Sequence, residues 1–333
     1  MEDEKIRIYK VKLMEVKDFQ FGDEKDILSL FEITFGRFMR QDVWQWRFQN
    51  NPAGKHYIKL MWENDKLVGH YAVSPFYMNI DSGLYQASLS MTTMTHPDYN
   101  GRGFFKILAT ELYKTLHEQY DIKLVMGYPN KNSHYGFIKN LKWKDLAVVH
   151  HLVLDTSCLK RVKSDQIFLT NNFRGVHASL LKRISSEFCL SVERSVEYLN
   201  WRYVDNPLNK YYIFEYVDEV GLRGFLVVKL YLMLDGTCGL FIMENGIDSE
   251  NMSLLPIFLS HIFSFFSEKI STINTWLPLF DRRHIYYEKN GFMLGGKPTY
   301  WGVRFLDPKF DLLGSDVRNW YYSYGDSDVL SGH

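Results

Sequence analysis

Residues 88–112 of the chain read SLSMTTMTHPDYNGRGFFKILATEL. Residues 88–95 are rich in serine and threonine, with Leu89, Met91 and Met94 between them, and we predict a β-strand here. Gly101 and Gly103 follow in a loop, and apolar residues at helical spacing from Phe104 onward predict a helix. Such a loop can present backbone N–H groups to a phosphate, because glycine permits close approach and the helix dipole favours negative charge. Two glycines alone also fit an ordinary structural turn, so the context of the loop matters.

The segments around this loop predict an α/β order that occurs twice. In the first half we expect strands at 6–14, 57–62, 67–77, 85–95 and 122–126, and helices at 26–35, from Phe104 and at 133–140. In the second half we expect strands at 211–216, 222–232, 239–243, 272–277 and after Gly291, with helices at 253–267 and 282–289. This order predicts a mixed, mostly antiparallel sheet flanked by helices in each half.

An internal repeat supports this division. The sequence Trp46-Arg47-Phe48, followed by Asn51-Pro52, recurs 155 residues later as Trp201-Arg202-Tyr203, followed by Asn206-Pro207. The register then holds without a gap over about 28 positions. A period this long indicates duplication of a whole domain. We therefore predict two domains, 1–158 and 159–333. The repeated Trp and Arg residues suit base stacking, but their recurrence in both halves favours packing.

Composition limits the classes of partner. The 333 residues include 39 Lys plus Arg and 39 Asp plus Glu, so no overall field attracts nucleic acid. The three cysteines, Cys158, Cys189 and Cys238, are scattered, which predicts neither a disulfide framework nor a metal site. The charged first residues and the absence of a long apolar run predict a cytoplasmic protein without membrane insertion. The oligomeric state stays open.

With its preceding strand and Pro-centred turn, the segment 97–105 resembles the acyl-CoA signature of the GNAT acyltransferase superfamily. That signature typically has Arg or Gln, two residues, Gly, one residue, then Gly or Ala. Asn100 stands where Arg or Gln is usual, and Phe105 stands where the last small residue is usual. The resemblance also expects a Tyr-Glu-Lys-x-Gly-Phe element, which the second half has at 287–292. Together with the repeat, the chain is similar to tandem GNAT enzymes, and among these to bacterial acyltransferases acting on nucleotide-linked amino sugars.

The resemblance implies direct attack of an amine on the thioester of acyl-CoA, either acetyl-CoA or a short hydroxyacyl-CoA, without a metal. A backbone N–H of the strand before the loop would polarise the thioester carbonyl. The implied donor-binding residues are Thr93, Met94, Thr95, Asn100, Gly101, Arg102, Gly103, Phe104, Phe105, Lys106 and Asn132. Asn130 and Asn132 also suit a helix cap near Ser133.

The catalytic residues are harder to assign. Many relatives use a carboxylate on the strand and a tyrosine near the last helix, but 86–95 contains no Asp or Glu, and Ile138 occupies the tyrosine position. His96, His134 and Tyr135 are the candidate replacements, since an imidazole can take a proton from an ammonium near neutral pH. His96 also suits a turn and Tyr135 a packed aromatic position. An amino sugar is less basic than lysine, so a dedicated base is not required.

The second half has no paired glycines at the corresponding loop, and its carboxylates would repel phosphate. We expect this half to complete the acceptor site, with Glu244 and Asp248 facing the amine. The predicted function is transfer of an acyl group to a nucleotide-linked amino sugar for surface polysaccharide synthesis. Alternatives are an acyl- or aminoacyltransferase acting on a peptidoglycan or thiol precursor, and a non-catalytic binding protein with the same fold.

Overall fold

The computed structural model describes residues 14–233, 235–266 and 270–328. The first half contains β1 (Met14–Asp18), α1 (Glu24–Phe35), α2 (Gln41–Phe48), β2 (Tyr57–Glu63), β3 (Lys66–Ile80), β4 (Gly83–Thr95), α3 (Phe104–Tyr120), β5 (Leu124–Gly127), α4 (Lys131–Tyr135) and β6 (Lys144–Asp155). The strand expected at 6–14 lies outside the described residues except for its last position, where β1 begins. The other expected elements of this half are present, with boundaries shifted by a few residues.

The second half follows a similar order. It contains β7 (Ile167–Thr170), α5 (Gly175–Ser185), β8 (Leu190–Val192), α6 (Val196–Leu199), β9 (Tyr212–Asp218), β10 (Gly221–Leu232), β11 (Cys238–Asn245), α7 (Leu255–Phe265), β12 (Ile270–Thr275), α8 (His284–Lys289), β13 (Met293–Phe305), α9 (Asp311–Gly314) and β14 (Trp320–Tyr321). A π-helical turn, Asn200–Val204, extends α6. The sequence patterns did not predict α2, β6, β7, α5, β8, α6 or the elements after β13.

Within the described ranges, the 14 strands belong to one sheet, whose main path runs β1-β2-β3-β4-β5-β13-β6-β12-β11-β10-β9-β7. This order is a palindrome in which β1 to β6 correspond to β7, β9, β10, β11, β12 and β13. The pairs β4·β5 and β11·β12 are both parallel, whereas their flanking pairs are antiparallel. The predicted α/β class with a mixed, mostly antiparallel sheet is therefore confirmed.

The two halves exchange their last strands. β13 lies between β5 and β6, with Val303 opposite Met126. β6 in turn lies against β12, with Leu154 opposite Ile273. The backbone hydrogen bonds of the sheet therefore cross the predicted boundary at residues 158 and 159. The division into two domains stays a prediction, because the halves share one sheet.

Helix α3 covers one face of the first half. Its buried residues Phe104, Leu108, Leu112 and Leu116 follow the spacing of an amphipathic helix. They pack in one cluster with Tyr71 and other side chains of the sheet. Asp121 ends the helix in a left-handed conformation, with φ of 54°. Among the described helices, none has the length and apolar content needed to cross a membrane.

The repeated tryptophans form a contact between the halves. Trp46 and Trp201 stack with 5.1 Å between ring centroids. The indole N–H of each donates to the backbone carbonyl of the other, at 2.8 Å from Trp46 and 3.0 Å from Trp201. The reciprocal bonds place this pair on the approximate twofold axis of the fold. The packing role predicted for these two residues is confirmed.

Trp46→Ala should lower the free energy of unfolding by about 3–5 kcal/mol, because it removes a buried ring and leaves the carbonyl of Trp201 without its donor. Urea unfolding followed by circular dichroism measures the change. Phe21→Ala is the control, since this ring is 92% exposed and its loss should change stability by less than about 0.5 kcal/mol. A loss below about 1 kcal/mol for Trp46→Ala would show that the contact is dispensable.

Candidate functional site

An opening in the sheet of the first half organises the site. The parallel strands β4 and β5 pair only at Ser88 with Val125 and at Leu89 with Met126. β4 then continues to Thr95, whereas β5 ends at Gly127. The strands therefore separate beyond Leu89 and Met126, and both point towards the same edge of the sheet. We refer to this gap as the strand opening.

The strand β4 is distorted beside the opening. Its register against β3 shifts between His70 and Ala72, and Thr92 adopts a left-handed φ of 52°. A β-branched residue rarely adopts this conformation, so the surroundings must hold it in place. The Nδ1–H of His70 donates to the carbonyl of Thr92 at 2.7 Å. This bond fixes the backbone just before the predicted donor-binding residues Thr93 and Thr95.

His70 was not singled out by the sequence analysis, because a histidine within an apolar strand carries no distinctive pattern. Its side chain is fully buried. Burial lowers its pKa to about 4, although the bond to the Thr92 carbonyl acts in the opposite direction. Because the carbonyl can only accept, Nδ1 carries the proton of the neutral ring. Within the described residues, Nε2 is buried without a hydrogen-bond partner.

The glycine loop follows β4 at the same edge. Gly101 and Gly103 both have φ of 78°, which other residues rarely adopt, and a Cβ at either position would point into open space. The first α3 hydrogen bond runs from the Ile107 N–H to the Gly103 carbonyl at 3.2 Å. The N–H groups of residues 104–106 precede it and have no partner within the helix. The loop therefore has the backbone layout that an anion requires.

The side chains of this segment serve different purposes. Phe104 is buried in the core cluster beside α3, so it supports the fold. Phe105 contacts Phe137, with ring centroids 4.9 Å apart, and thereby links α3 to the segment after α4. Asn100 is exposed, and the guanidinium of Arg102 lies 4.5 Å from the centre of the Tyr99 ring. Met94 is 1% exposed and packs near α1, so only its backbone can contact a ligand.

A basic groove runs along α3 from the loop. Its cationic side chains come from α3, from the segment after α4 and from β13: Lys106, Lys114, Lys139, Lys142 and Arg304. Glu118 is the single acidic residue among the described lining residues, and His117 also lies there. We call this surface the basic groove. Its charge and its position next to the glycine loop suit a ligand that carries several phosphates.

The candidate catalytic residues lie in different environments. His96 is 8% exposed and its Nδ1 accepts from the Asp98 N–H at 3.3 Å, so it caps the turn after β4. His134 Nε2 lies 2.6 Å from the Asp145 carboxylate, and its ring stacks on Tyr300. Tyr135 is 68% exposed, which excludes the alternative of a packed aromatic position. The catalytic roles of His96, His134 and Tyr135 stay predictions.

The helix cap expected near Ser133 is present at the start of α4. The side-chain oxygen of Asn130 accepts from the N–H groups of Asn132 and Ser133 at 2.9 and 3.1 Å. Asn132 itself is exposed. Its predicted contact with the donor stays a prediction, whereas Asn130 has a structural role.

Glu244 and Asp248 do not share one environment. Glu244 is 1% exposed, and its carboxylate binds Arg194 at 3.1 Å, Tyr203 at 3.0 Å and Ser323 at 2.7 Å. These contacts favour a structural role and disfavour a direct contact with an acceptor. Asp248 is half-buried and accepts from the N–H and the side chain of Asn251 in the turn before α7. Their predicted role in acceptor binding stays a prediction.

The corresponding loop of the second half is filled by protein. Arg283 donates to the carbonyls of Asn245 and Ile247 at 3.1 and 3.3 Å, and its guanidinium pairs with Asp281. A Cβ at Gly246 would lie 2.3 Å from the Phe225 ring. A buried arginine thus binds the carbonyls of this segment, which supports the sequence-based view that the two loops are not equivalent.

A pocket where the strand opening begins joins both halves. β4 and β5 contribute Leu89, Met91 and Met126. The other walls include Trp46, Arg47, Tyr198, Trp201, Arg202 and the C-terminal residues 325–328. We call this the central pocket. The sequence did not predict this pocket, because the C-terminal segment carries no motif and reaches the pocket through tertiary packing.

Comparisons with known proteins agree with this geometry. Residues 15–144 match the sequence profile described as the acetyltransferase (GNAT) domain. This segment includes the strand opening and the glycine loop. No curated protein sequence matches the chain. Among residues 14–233, 235–266 and 270–328, no group of His, Cys, Asp or Glu is placed to bind a metal.

Solved structures show the same fold. A GCN5-related N-acetyltransferase from Anabaena variabilis superposes with a TM-score of 0.68 at 12% identity, covering 88% of this chain and 73% of that one. A GCN5-related N-acetyltransferase from Kribbella flavida gives 0.63 at 14% identity, covering 89% and 72%. N-myristoyltransferase from Saccharomyces cerevisiae, with bound myristoyl-CoA, gives 0.60 at 11% identity, covering 90% and 85%. The chain therefore has a GNAT fold, and residues 15–144 match the acetyltransferase (GNAT) profile.

The buried histidine makes stability depend on pH. His70 stays neutral in the folded chain down to about pH 4, whereas in the unfolded chain it takes up a proton near pH 6.5. Stability should therefore fall as pH falls from 6.5 to 4. In His70→Asn the fall between pH 7 and pH 4.5 should be smaller by about 2 kcal/mol, given about 1.4 kcal/mol per pH unit.

Urea unfolding of both proteins at the two pH values measures this difference. A constant packing loss in the variant cancels, because only the change with pH is compared. His150→Asn is the control, since this histidine is exposed on β6 and has no such contact with β4. An equal fall in His70→Asn and the parent protein would contradict a neutral buried His70.

Proposed function

We propose that the chain is an acyl-CoA-dependent N-acyltransferase whose donor site lies in the first half. The observation that carries this proposal is the strand opening with the glycine loop and the start of α3 at the same edge of the sheet. The match of residues 15–144 to the GNAT acetyltransferase domain supports it. In this arrangement the N–H groups of residues 101–106 bind the diphosphate.

The basic groove supports the same donor. Coenzyme A carries a further phosphate on its ribose, and Lys106, Lys139 and Lys142 supply positive charge beside the loop. The thioester then lies in the strand opening, where a backbone N–H near Thr93 can polarise its carbonyl. The bond from His70 to Thr92 supports this role, because it holds the strand in one shape.

We further propose that the two halves are tandem GNAT domains and that the second completes the acceptor site. The palindromic strand order supports a duplication, and the loop filled by Arg283 supports a second half that binds no donor. For the acceptor we propose the primary amine of a nucleotide-linked amino sugar. The charge of the central pocket supports a small polar head group, because Arg47 and Arg202 are balanced by Asp326 and Asp328.

The function is tested by thiol release from acetyl-CoA and from a short hydroxyacyl-CoA, with a panel of nucleotide-linked amino sugars as acceptors. Gly101→Asp/Gly103→Asp should abolish acetyl-CoA binding, because it strains the backbone and places two carboxylates against the diphosphate. Calorimetry measures the binding, and thiol release measures turnover.

Gly36→Asp is the matched control. Gly36 also has a left-handed φ, 67°, and a Cβ there meets open space, but it ends α1 outside the loop. The control should bind acetyl-CoA like the parent protein. Binding without turnover of any amino sugar would contradict the acceptor, and absence of acetyl-CoA binding would contradict the enzyme.

The basic groove gives a separate prediction. Lys139→Glu/Lys142→Glu should raise the KM for acetyl-CoA by about 10-fold or more at low salt, because two positive charges near the ribose phosphate become negative. The KM for 3′-dephospho-acetyl-CoA should change much less. Lys182→Glu is the control, since this residue lies on α5 away from the groove. Equal effects on both donors would exclude the groove as the site of the ribose phosphate.

A further inference from the structure

Strand β4 contains no Asp or Glu. Ile138 stands where many GNAT enzymes have a tyrosine. The central pocket, however, receives two carboxylates from the C-terminal segment, Asp326 and Asp328. They face a wall that includes Leu89 and Met126, the last paired residues before the strand opening. The carboxylates therefore line a pocket that reaches the start of the strand opening.

Asp326 is already fully engaged by protein. Its two oxygens accept from Arg194 Nη2 at 2.9 and 2.8 Å, and one also accepts from the Ser323 N–H at 2.8 Å. Arg194 also binds Glu244 and is buried with it. This network anchors the C-terminal segment against the second half. Removing one member would leave a buried charge without its partner, so Asp326 has a structural role.

Asp328 follows two residues later on the anchored segment. Arg202 donates to the carbonyls of Gly325 and Ser327 at 3.1 and 2.8 Å, which holds the backbone up to the residue before Asp328. Burial raises the pKa of Asp328, whereas Arg47 and Arg202 act in the opposite direction. Arg47 comes from α2 and Arg202 from the turn after α6, so the two repeated arginines face the same carboxylate from both halves.

A second observation indicates that a polar ligand belongs near these carboxylates. The side chain of Tyr128, directly after β5, is 8% exposed, and its hydroxyl has no hydrogen-bond partner among the residues that the structure describes. Burial and the charges of Asp326 and Asp328 raise its pKa. A buried hydroxyl without a partner costs free energy, so it is expected to bind a ligand or water.

We propose that the central pocket binds the head group of the acceptor and that Asp328 is the base that takes a proton from its ammonium. This inference rests on the proposed function. The carboxylate of Asp328 accepts one proton from the ammonium nitrogen, directly or through one water molecule. The lone pair of the resulting amine attacks the thioester carbon, so that a C–N bond forms.

The remaining steps balance the reaction. The C–S bond breaks, and its electron pair leaves with sulfur as the coenzyme A thiolate. The second proton lost by nitrogen goes to this thiolate, which gives the amide and the free thiol, and Asp328 returns its proton to water. The charges favour a compact primary ammonium whose charge is met by Asp328. On the pocket wall the Ser74 oxygen accepts from Asn51 at 2.9 Å, so the Ser74 hydroxyl can donate to an acceptor on the ligand.

Asp328→Asn should lower kcat by about 100-fold or more and leave the Kd for acetyl-CoA within about threefold of the parent value. Asp328→Glu should recover most of the loss, because it restores a carboxylate. The rise of kcat/KM with pH that reports the base should be present in the parent and Asp328→Glu and absent in Asp328→Asn. Burial raises this pKa, and Arg47 and Arg202 are the charged neighbours that lower it.

Asp316→Asn is the matched control. Asp316 also lies after β13, but its carboxylate pairs with Arg318 on the surface and does not line the pocket. Thermal unfolding of all variants separates misfolding from loss of the base. Full turnover by Asp328→Asn with an unchanged pH profile would overturn the proposal while leaving the proposed function intact.

If the parent protein binds acetyl-CoA but acylates no amine in the panel, binding replaces turnover as the readout. Glucosamine is then titrated into the parent protein and Asp328→Asn. Binding to the parent that weakens about 10-fold or more in the variant supports the pocket as an ammonium site. Absent or equal binding overturns it. Failure of the parent to bind acetyl-CoA would contradict the proposed function and this inference together.

Discussion

Each half of the sheet is completed by the last long strand of the other half. β13 completes the sheet of the first half, and β6 completes that of the second. Because β13 pairs with β5 and β6 pairs with β12, separating the halves would expose unpaired backbone donors and acceptors on both strands. The exchange also fixes where α2 meets the turn after α6, and so where Trp46 and Trp201 stack. The central pocket exists because these pieces are held together.

The two halves share one strand order but differ in the loop that follows the first strand of the parallel pair. In the first half, the strands separate beside a glycine loop at which a Cβ on Gly101 or Gly103 would meet open space. In the second half, Arg283 binds the carbonyls at the same place, and Glu244 is bound by Arg194. Of the two carboxylates that the sequence suggested would repel phosphate, Glu244 belongs to a buried hydrogen-bond network and Asp248 accepts hydrogen bonds within a turn. This division of labour supports a donor site in one half and acceptor walls built from both.

Local sequence patterns predicted most of the strands and helices, but they did not predict which strands pair between the two halves. The alternation along β2 to β5 and the spacing of Leu108, Leu112 and Leu116 identified the strands and the helix closely. β6 was missed because nothing in its sequence indicates that it pairs with β12 of the other half. The loop at 101–103 could be predicted from its glycines, whereas the roles of His70 and Asp328 could not be predicted from the sequence. Their importance depends on contacts with residues 22 positions away in one case and more than a hundred in the other.

The position of the C-terminal segment changes how the missing base is understood. A carboxylate on β4 would belong to the same half as the donor loop, and its charge would act close to the diphosphate. A carboxylate brought from the far end of the chain lies instead beside Arg47 and Arg202, which compensate its charge in a buried setting. The same arginines belong to the repeated Trp-Arg motif, so each copy contributes one wall of the pocket. The two copies of the motif therefore supply two arginines near Asp328, and a single domain would supply only one of them.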